Sequence, residues 1–184
     1  MSQFVETLFG LAGKVAIVTG GGGHLCGEMS RGLAQAGCHV AVMDIRLSKA
    51  EAIVEQIKAF GAPDAIAIEV DASDKVSVEA GLGQVIAQYG KLDIAINGAG
   101  INAPTPFLEI ELDEFEAVMT SQITATLIGC QVFGAEMLKS ASGSIINISS
   151  ASAGPPLSKA FAYSIAKAGI VNLTQNLGRE WGTK

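Results

Sequence analysis

Residues 14–36 read K-V-A-I-V-T-G-G-G-G-H-L-C-G-E-M-S-R-G-L-A-Q-A, and their order decides the fold class. Lys14 to Thr19 is a short apolar run rich in β-branched residues, the pattern of a buried strand. Gly20 to Gly23 follow without a gap. From His24 to Ala36 the apolar residues recur at helical spacing, at Leu25, Met29, Leu33 and Ala36. Strand, glycine loop and helix together form the context in which a dinucleotide-binding turn works. Glycines let the backbone approach a pyrophosphate, and a helix N-terminus offers unpaired N–H groups at the positive end of its dipole. The plainer alternative is a tight turn that needs glycine for its geometry. Four successive glycines between a strand and a helix favour the phosphate, with Gly20, Gly22, Gly23, His24 and Leu25 as candidate contacts.

The alternation continues. His39 to Met43 reads as a second strand ending on Asp44, followed by a helix from Lys49 to Phe60. Ala65 to Val70 reads as a third strand ending at Asp71, followed by a helix from Val76 to Tyr89. Leu92 to Asn97 is a fourth strand, closed by Gly98, Ala99 and Gly100, and Leu112 to Leu138 is a long helical stretch. Ser144 to Ile148 is a fifth strand, and Ala160 to Trp181 is the last helix. Strands alternating with helices imply right-handed crossovers and a parallel sheet covered on both faces. The expected fold is therefore α/β: a doubly wound, Rossmann-like parallel sheet in three α/β/α layers, one domain over residues 1–184. Ligands on such sheets bind at the carboxyl ends of the strands, where Gly20, Asp44, Asp71, Asn97 and Ser150 all fall. Asp44 stands about 20 residues beyond the glycine loop, where an acid accepts hydrogen bonds from an adenosine ribose. Its carboxylate would repel a 2′-phosphate, so NAD is expected and NADP less so. Arg46 is the opposing signal, and the alternative for Asp44 is a turn or helix-capping role.

A second stretch carries the chemistry. Residues 145–167 read I-I-N-I-S-S-A-S-A-G-P-P-L-S-K-A-F-A-Y-S-I-A-K. A free tyrosine has a pKa near ~10, too high for an efficient base at neutral pH. Lys167, one helical turn beyond Tyr163, shares its face and favours the phenolate. The Ser150 hydroxyl can donate a hydrogen bond to a substrate oxygen. In isolation, tyrosine and lysine four residues apart are more often a surface pair. The agreement of the glycine loop and the strand ends gives the trio its weight.

With these motifs in order, the chain resembles the short-chain dehydrogenase/reductase family from about Leu8 to its C-terminal end. By that resemblance Ser150, Tyr163 and Lys167 are catalytic, and Lys167 also binds the nicotinamide ribose. Asp71, with Ala72, lies beside the adenine ring. Asn97-Gly98-Ala99-Gly100 matches the family's N-N-A-G, which supports the central strand and borders the cofactor, so Asn97, Gly98 and Ala99 are cofactor-binding candidates. The family's fourth catalytic residue is an asparagine that positions a water in a proton relay to the lysine. Gln122 matches it, with the same amide one methylene further out. The family's glycine motif is T-G-x-x-x-G-x-G. Here His24 and Cys26 replace its second and third glycines, flanked by Gly23 and Gly27. His24 could put an imidazole beside the phosphates, with a solvent-facing loop side chain the favoured alternative, and Cys26 is expected as a small packing residue between helix and strand. Residues 1–184 lack the last strands and the substrate-covering loop of the family fold. Strand five is therefore expected at a sheet edge, and the chain is either a fragment of a longer one or covered there by a partner.

With 184 residues and 49% hydrophobic content, the chain is long enough to bury a sizeable core. A net charge of −6 without basic clusters argues against nucleic acid or an anionic membrane surface. No apolar run approaches ~18 residues, and Met1 to Gly13 lacks a signal-peptide pattern. Cys26, Cys38 and Cys130 suit neither a disulfide framework nor a metal site, which fits a cytoplasmic protein, and no metal is expected from His24 and His39. The function read from these residues is an NAD-dependent oxidoreductase acting on a secondary alcohol or its ketone, by resemblance a polyol or sugar acid. The alternatives are a dinucleotide-binding but catalytically impaired chain, or a subunit whose long helices mainly build an oligomer. Asn102, Ser152, Pro155 and Lys159 are candidates to line a substrate pocket, with Lys159 more plausible as a solvated loop lysine. A homodimer or homotetramer is expected through the two long helices, whose small residues (Ala117, Thr124, Ala125, Gly129, Ala166 and Gly169) would allow close approach.

Overall fold

The computed structural model describes residues 8–62, 64–155 and 157–184. Its centre is a five-stranded sheet in the order β3-β2-β1-β4-β5. The strands are β1 (Val15–Thr19), β2 (His39–Asp44), β3 (Ala65–Glu69), β4 (Ile94–Asn97) and β5 (Ser144–Asn147). Every pairing is parallel, with Val15 opposite His39, Ala16 opposite Ile94, and Ile94 opposite Ser144. The strands alternate with α1 (His24–Gln35), α2 (Leu47–Ala59), α3 (Lys75–Tyr89), α4 (Leu112–Met119), α5 (Ala125–Lys139) and α6 (Phe161–Trp181). β1 is buried over its whole length, as a near-continuous apolar strand with helices on both sides requires.

Side chains of opposite parity on β1 feed two cores. Val15 and Ile17 pack with Val78, Leu82 and Val85 of α3 and with Val132, Phe133 and Met137 of α5. Ala16 and Val18 pack on the other face with Cys26 and Ala34 of α1 and with Ile53, Val54 and Ile57 of α2. The chain winds outward from β1 to β3, then returns to build β4 and β5 on the other side. That reversal opens a crevice at the carboxyl ends of β1 and β4. The opposite end of these two strands is closed by Asp93. It accepts from Val15 N at 2.9 Å and pairs with Lys14 and Lys91 at 3.1 and 3.0 Å.

Two features depart from the regular pattern. The stretch expected as one helix from Leu112 to Leu138 is interrupted by a π turn at Thr120–Thr124. Single π turns inside α-helices are frequent at functional sites. β5 is an edge strand, as expected, and its Ser144 and Ile146 are exposed. Beside it runs a groove of about 570 Å³ between the C-terminal turns of α5 and α6, lined in part by Met137, Ile145, Leu177 and Trp181.

Candidate active site

The site follows from where the strands end. β1 delivers Thr19, whose hydroxyl donates to Ile96 O at 3.4 Å and accepts from Gly98 N at 3.2 Å, joining the tips of β1 and β4. Gly20 then turns with φ +65°, and a β-carbon there would stand 2.8 Å from Ala99 Cα. Both the left-handed backbone and the close approach require glycine. α1 starts directly after Gly23 with no side-chain cap and no acid in its first turn. Its leading N–H groups and the positive end of its dipole are thus left for an anion. This start suits a pyrophosphate.

A cleft of about 480 Å³ lies above these strand ends. It gathers Gly20, Gly23, His24 and Leu25 from the loop and α1 on one side, and Gly98 and Ala99 on the other. Asp44, Asp71 and Ala72 line one end, and Gln122, Tyr163 and Lys167 also line it. Asp44 is buried. Its Oδ2 accepts from Gly22 N at 3.1 Å and its Oδ1 from Arg46 N at 3.0 Å. Asp71 Oδ1 accepts from Ser73 N and Ser73 Oγ at 2.9 and 2.6 Å, which fixes the turn before α3. His24 is exposed at the loop, as expected of a solvent-facing side chain.

The tyrosine and lysine come from the first turns of α6. Lys167 is 4% exposed, its Nζ donates to Ile148 O at 2.6 Å, and it lies 5.4 Å from the Tyr163 ring centroid. Burial pushes the Lys167 ammonium below its usual pKa, against a small opposing pull from the Cys26 sulfur. Gln122 is buried in the π turn, and its Nε2 donates to Ile101 O at 2.8 Å while its Oε1 has no partner. Ile101 N in turn donates to Ser121 Oγ at 3.2 Å. Two successive residues of the π turn thus hold the loop that follows β4.

Three candidates lie outside the cleft lining. Gly22 touches the site only through its N–H on Asp44. Asn97 lies behind the wall, where Nδ2 donates to Asn147 Oδ1 at 2.9 Å and the residue is 3% exposed. There it ties β4 to β5, while Gly98 and Ala99 line the cleft. Ser150 starts a short 3₁₀ turn, Ala151–Ala153, where its Oγ accepts from Ser152 N and Ser152 Oγ at 3.2 and 3.1 Å. Among the substrate-pocket candidates, Asn102 lines the cleft, Ser152 is buried against Ser150, and Pro155 and Lys159 are exposed. Ile101 and Ser121 were not singled out in the sequence. Ile101 acts through its backbone groups, which leave no side-chain signature, and an isolated serine is common in any helix.

A family model described as short chain dehydrogenase matches residues 14–184. The chain belongs to this family. An uncharacterized oxidoreductase, UxuB, of Bacillus subtilis (strain 168) is 40% identical over 179 residues, which span 89% of this chain and 64% of that protein. A D-threitol dehydrogenase of Mycolicibacterium smegmatis is 33% identical, spanning 97% of this chain and 68% of that protein. A solved NAD+-bound xylitol dehydrogenase superposes with a TM-score of 0.90 at 25% identity, covering 94% of this chain and 66% of the other. The chain thus spans about two thirds of the length of these relatives. Among the described residues no three His, Cys, Asp or Glu side chains are grouped to hold a metal ion. No described helix is long and apolar enough to cross a membrane.

Proposed function

We propose that this protein acts as an NAD(H)-dependent oxidoreductase interconverting a secondary alcohol and its ketone, with acyclic polyols as the substrate class. The observation that carries this reading is the cleft itself. It brings an uncapped helix start and Asp44 together with Tyr163 and Lys167. A nicotinamide bound there would take up the hydride that leaves the alcohol carbon, or supply it in the reverse direction.

The chain's own groups do the rest. The Tyr163 hydroxyl exchanges the proton of the substrate oxygen, as phenolate in oxidation and as phenol in reduction. The Lys167 Nζ stands 5.4 Å from the Tyr163 ring centroid, a positive charge beside the proton-transferring group. Its tie to Ile148 O fixes the Nζ position and leaves further N–H donors for a ribose hydroxyl. Ser150 Oγ accepts two hydrogen bonds from Ser152, so its own proton remains free to donate to a substrate oxygen. Gln122 holds the Gly100–Asn102 loop in the wall of the cleft that Lys167 also lines. Asp44 favours NAD over NADP: each carboxylate oxygen holds one backbone N–H and retains a lone pair for ribose. A 2′-phosphate would meet its charge.

The polyol class is supported by two similar proteins named for threitol and xylitol, and by the Asn102 amide, which lines the same cleft as Tyr163. Exposed apolar side chains on α4 to α6, among them Leu112, Leu127, Ile165 and Val171, support a homo-oligomer built through these helices. Three buried free thiols suit a reducing compartment such as the cytoplasm.

Fluorescence titration with NADH, followed by NAD+-dependent turnover on a panel including threitol, xylitol and sugar acids, tests the proposal. NADH should bind, and at least one polyol should generate NADH. Absence of NADH binding would sink the dinucleotide reading. Binding without turnover on any member of the panel would leave a nucleotide-binding protein in place of the enzyme.

A further inference from the structure

The resemblance leaves two motif positions unexplained, Cys26 where the family pattern has glycine and Gly98 where it has asparagine. The fold brings these two residues, 72 positions apart in sequence, into one contact. Cys26 is the third residue of α1 and is 5% exposed, with its thiol in the core beside Val18, Ile96 and Ile148. A β-carbon built on Gly98 would overlap Cys26 Sγ. The next nearest atoms, Thr19 O and Ile148 Cγ1, stand at 3.3 and 3.4 Å, where the fit is close but tolerable. Gly98 is not among the residues with positive φ, so its backbone does not call for glycine. The thiol does.

We propose that Cys26 and Gly98 form a single positioning pair, in which the sulfur fills the volume a side chain at 98 would need and so sets the separation of the two cleft walls. One wall is the glycine loop and the start of α1, and the other is the Gly98–Gly100 loop. Both members of the pair line the cleft. The cleft that Cys26 and Gly98 line has Asp44 toward one end and Lys167 toward the other. The pair therefore stands beneath the middle of the cleft, where its two walls come together. The inference rests on the dinucleotide reading above.

The test uses Gly98→Ala, Cys26→Ala and the double variant, with NADH and AMP as probes and thermal midpoints measured alongside. Wedging a methyl group against the sulfur spreads the walls, so Gly98→Ala should weaken NADH binding by about tenfold or more. AMP ends at its single phosphate and does not have to pass between the two walls toward Tyr163 and Lys167, so its affinity should stay within about twofold. Removing the sulfur as well should restore NADH affinity to within about threefold of the parent. NADH binding unchanged by Gly98→Ala would overturn the proposal, as would a double variant no better than Gly98→Ala. Equal loss of NADH and AMP would reduce the pair to general packing and overturn its positioning role. If Gly98→Ala fails to fold, a folded, NADH-binding double variant supports the pair and an unfolded one refutes it. A parent that binds AMP but not NADH, or neither, condemns the dinucleotide reading itself and with it the positioning role. The thermal midpoints of the four proteins would still show whether the contact exists.

Discussion

At Tyr163 the proposed chemistry depends on one oxygen, because the ring alone already provides the packing beside Lys167. Tyr163→Phe keeps that packing and removes the proton-transferring group. Turnover should fall by at least ~10², with NADH affinity nearly unchanged. A variant that keeps parental turnover would remove Tyr163 from its role. Asp44 makes a different kind of contribution, since its two oxygens hold Gly22 N and Arg46 N while the residue lines the cleft. Asp44→Ala removes the charge opposed to a 2′-phosphate while exposed Arg46 remains. The ratio of NADP(H) to NAD(H) affinity should therefore rise by about tenfold, the size of one lost charge-assisted contact. Calorimetry on parent and variant reads this directly, and an unchanged ratio would place selectivity elsewhere.

The π turn between α4 and α5 is the element whose geometry matters most. It presents Ser121 and Gln122 to the loop after β4, one accepting from Ile101 N and the other donating to Ile101 O. Gln122→Ala removes the amide and leaves Ile101 O without its donor. It should lower kcat by about tenfold, the loss of one buried hydrogen bond at the site. Its thermal midpoint should fall as well, because the loop loses an anchor. Parental kcat would make the residue structural only. At the other end of the sheet, Asp93 links the first residues of β1 and β4. Burial opposes its ionisation, but the hydrogen bonds from Val15 N, Lys91 and Lys14 outweigh it and hold the carboxyl below its usual pKa. A depressed folded pKa means that the stabilisation is present above the ordinary carboxylate value of 3.8 and fades as pH falls through the folded value. Asp93→Ala should cost about 2 kcal/mol near neutral pH. The difference from the parent should shrink in acid, as denaturant melts across pH will show. A gap that stays constant into acid would contradict this account of Asp93.

On the scale of the whole molecule, the small residues expected at a subunit interface have mostly been drawn inward. Ala125, Gly129 and Ala166 are buried, Gly129 against the Asn97 side chain, and Gly169 faces Ile123. Ala117 and Thr124 stay exposed. What α4 to α6 offer outside is larger and apolar: Leu112 at 78% exposure and Ile165 at 52%. Covering such side chains favours association. Light scattering should therefore give at least a dimer, and Ile165→Glu should shift it toward monomer by placing a charge in the contact. A monomeric parent at micromolar concentration would contradict the assembly.

The sequence alone determined the class of fold, because a strand buried on both faces and a helix with one apolar stripe each leave a periodic record. The meeting of the glycine loop, Asp44, Asp71, Tyr163 and Lys167 at one cleft was legible for a similar reason: each combines a residue type with a fixed distance from the end of an element. The tertiary structure decided what depends on contact between distant segments. The π turn is set by how α4 and α5 meet the loop after β4, and Gln122 grips a backbone carbonyl that no side chain announces. Ser150 turns to Ser152, and Asn97 retreats behind the wall to Asn147, because each polar group answers to the nearest available partner in space. Cys26 and Gly98 look like unrelated departures in the linear chain. They become one contact only when α1 is laid against the end of β4, since two atoms cannot occupy the same volume and the sequence holds no measure of that distance.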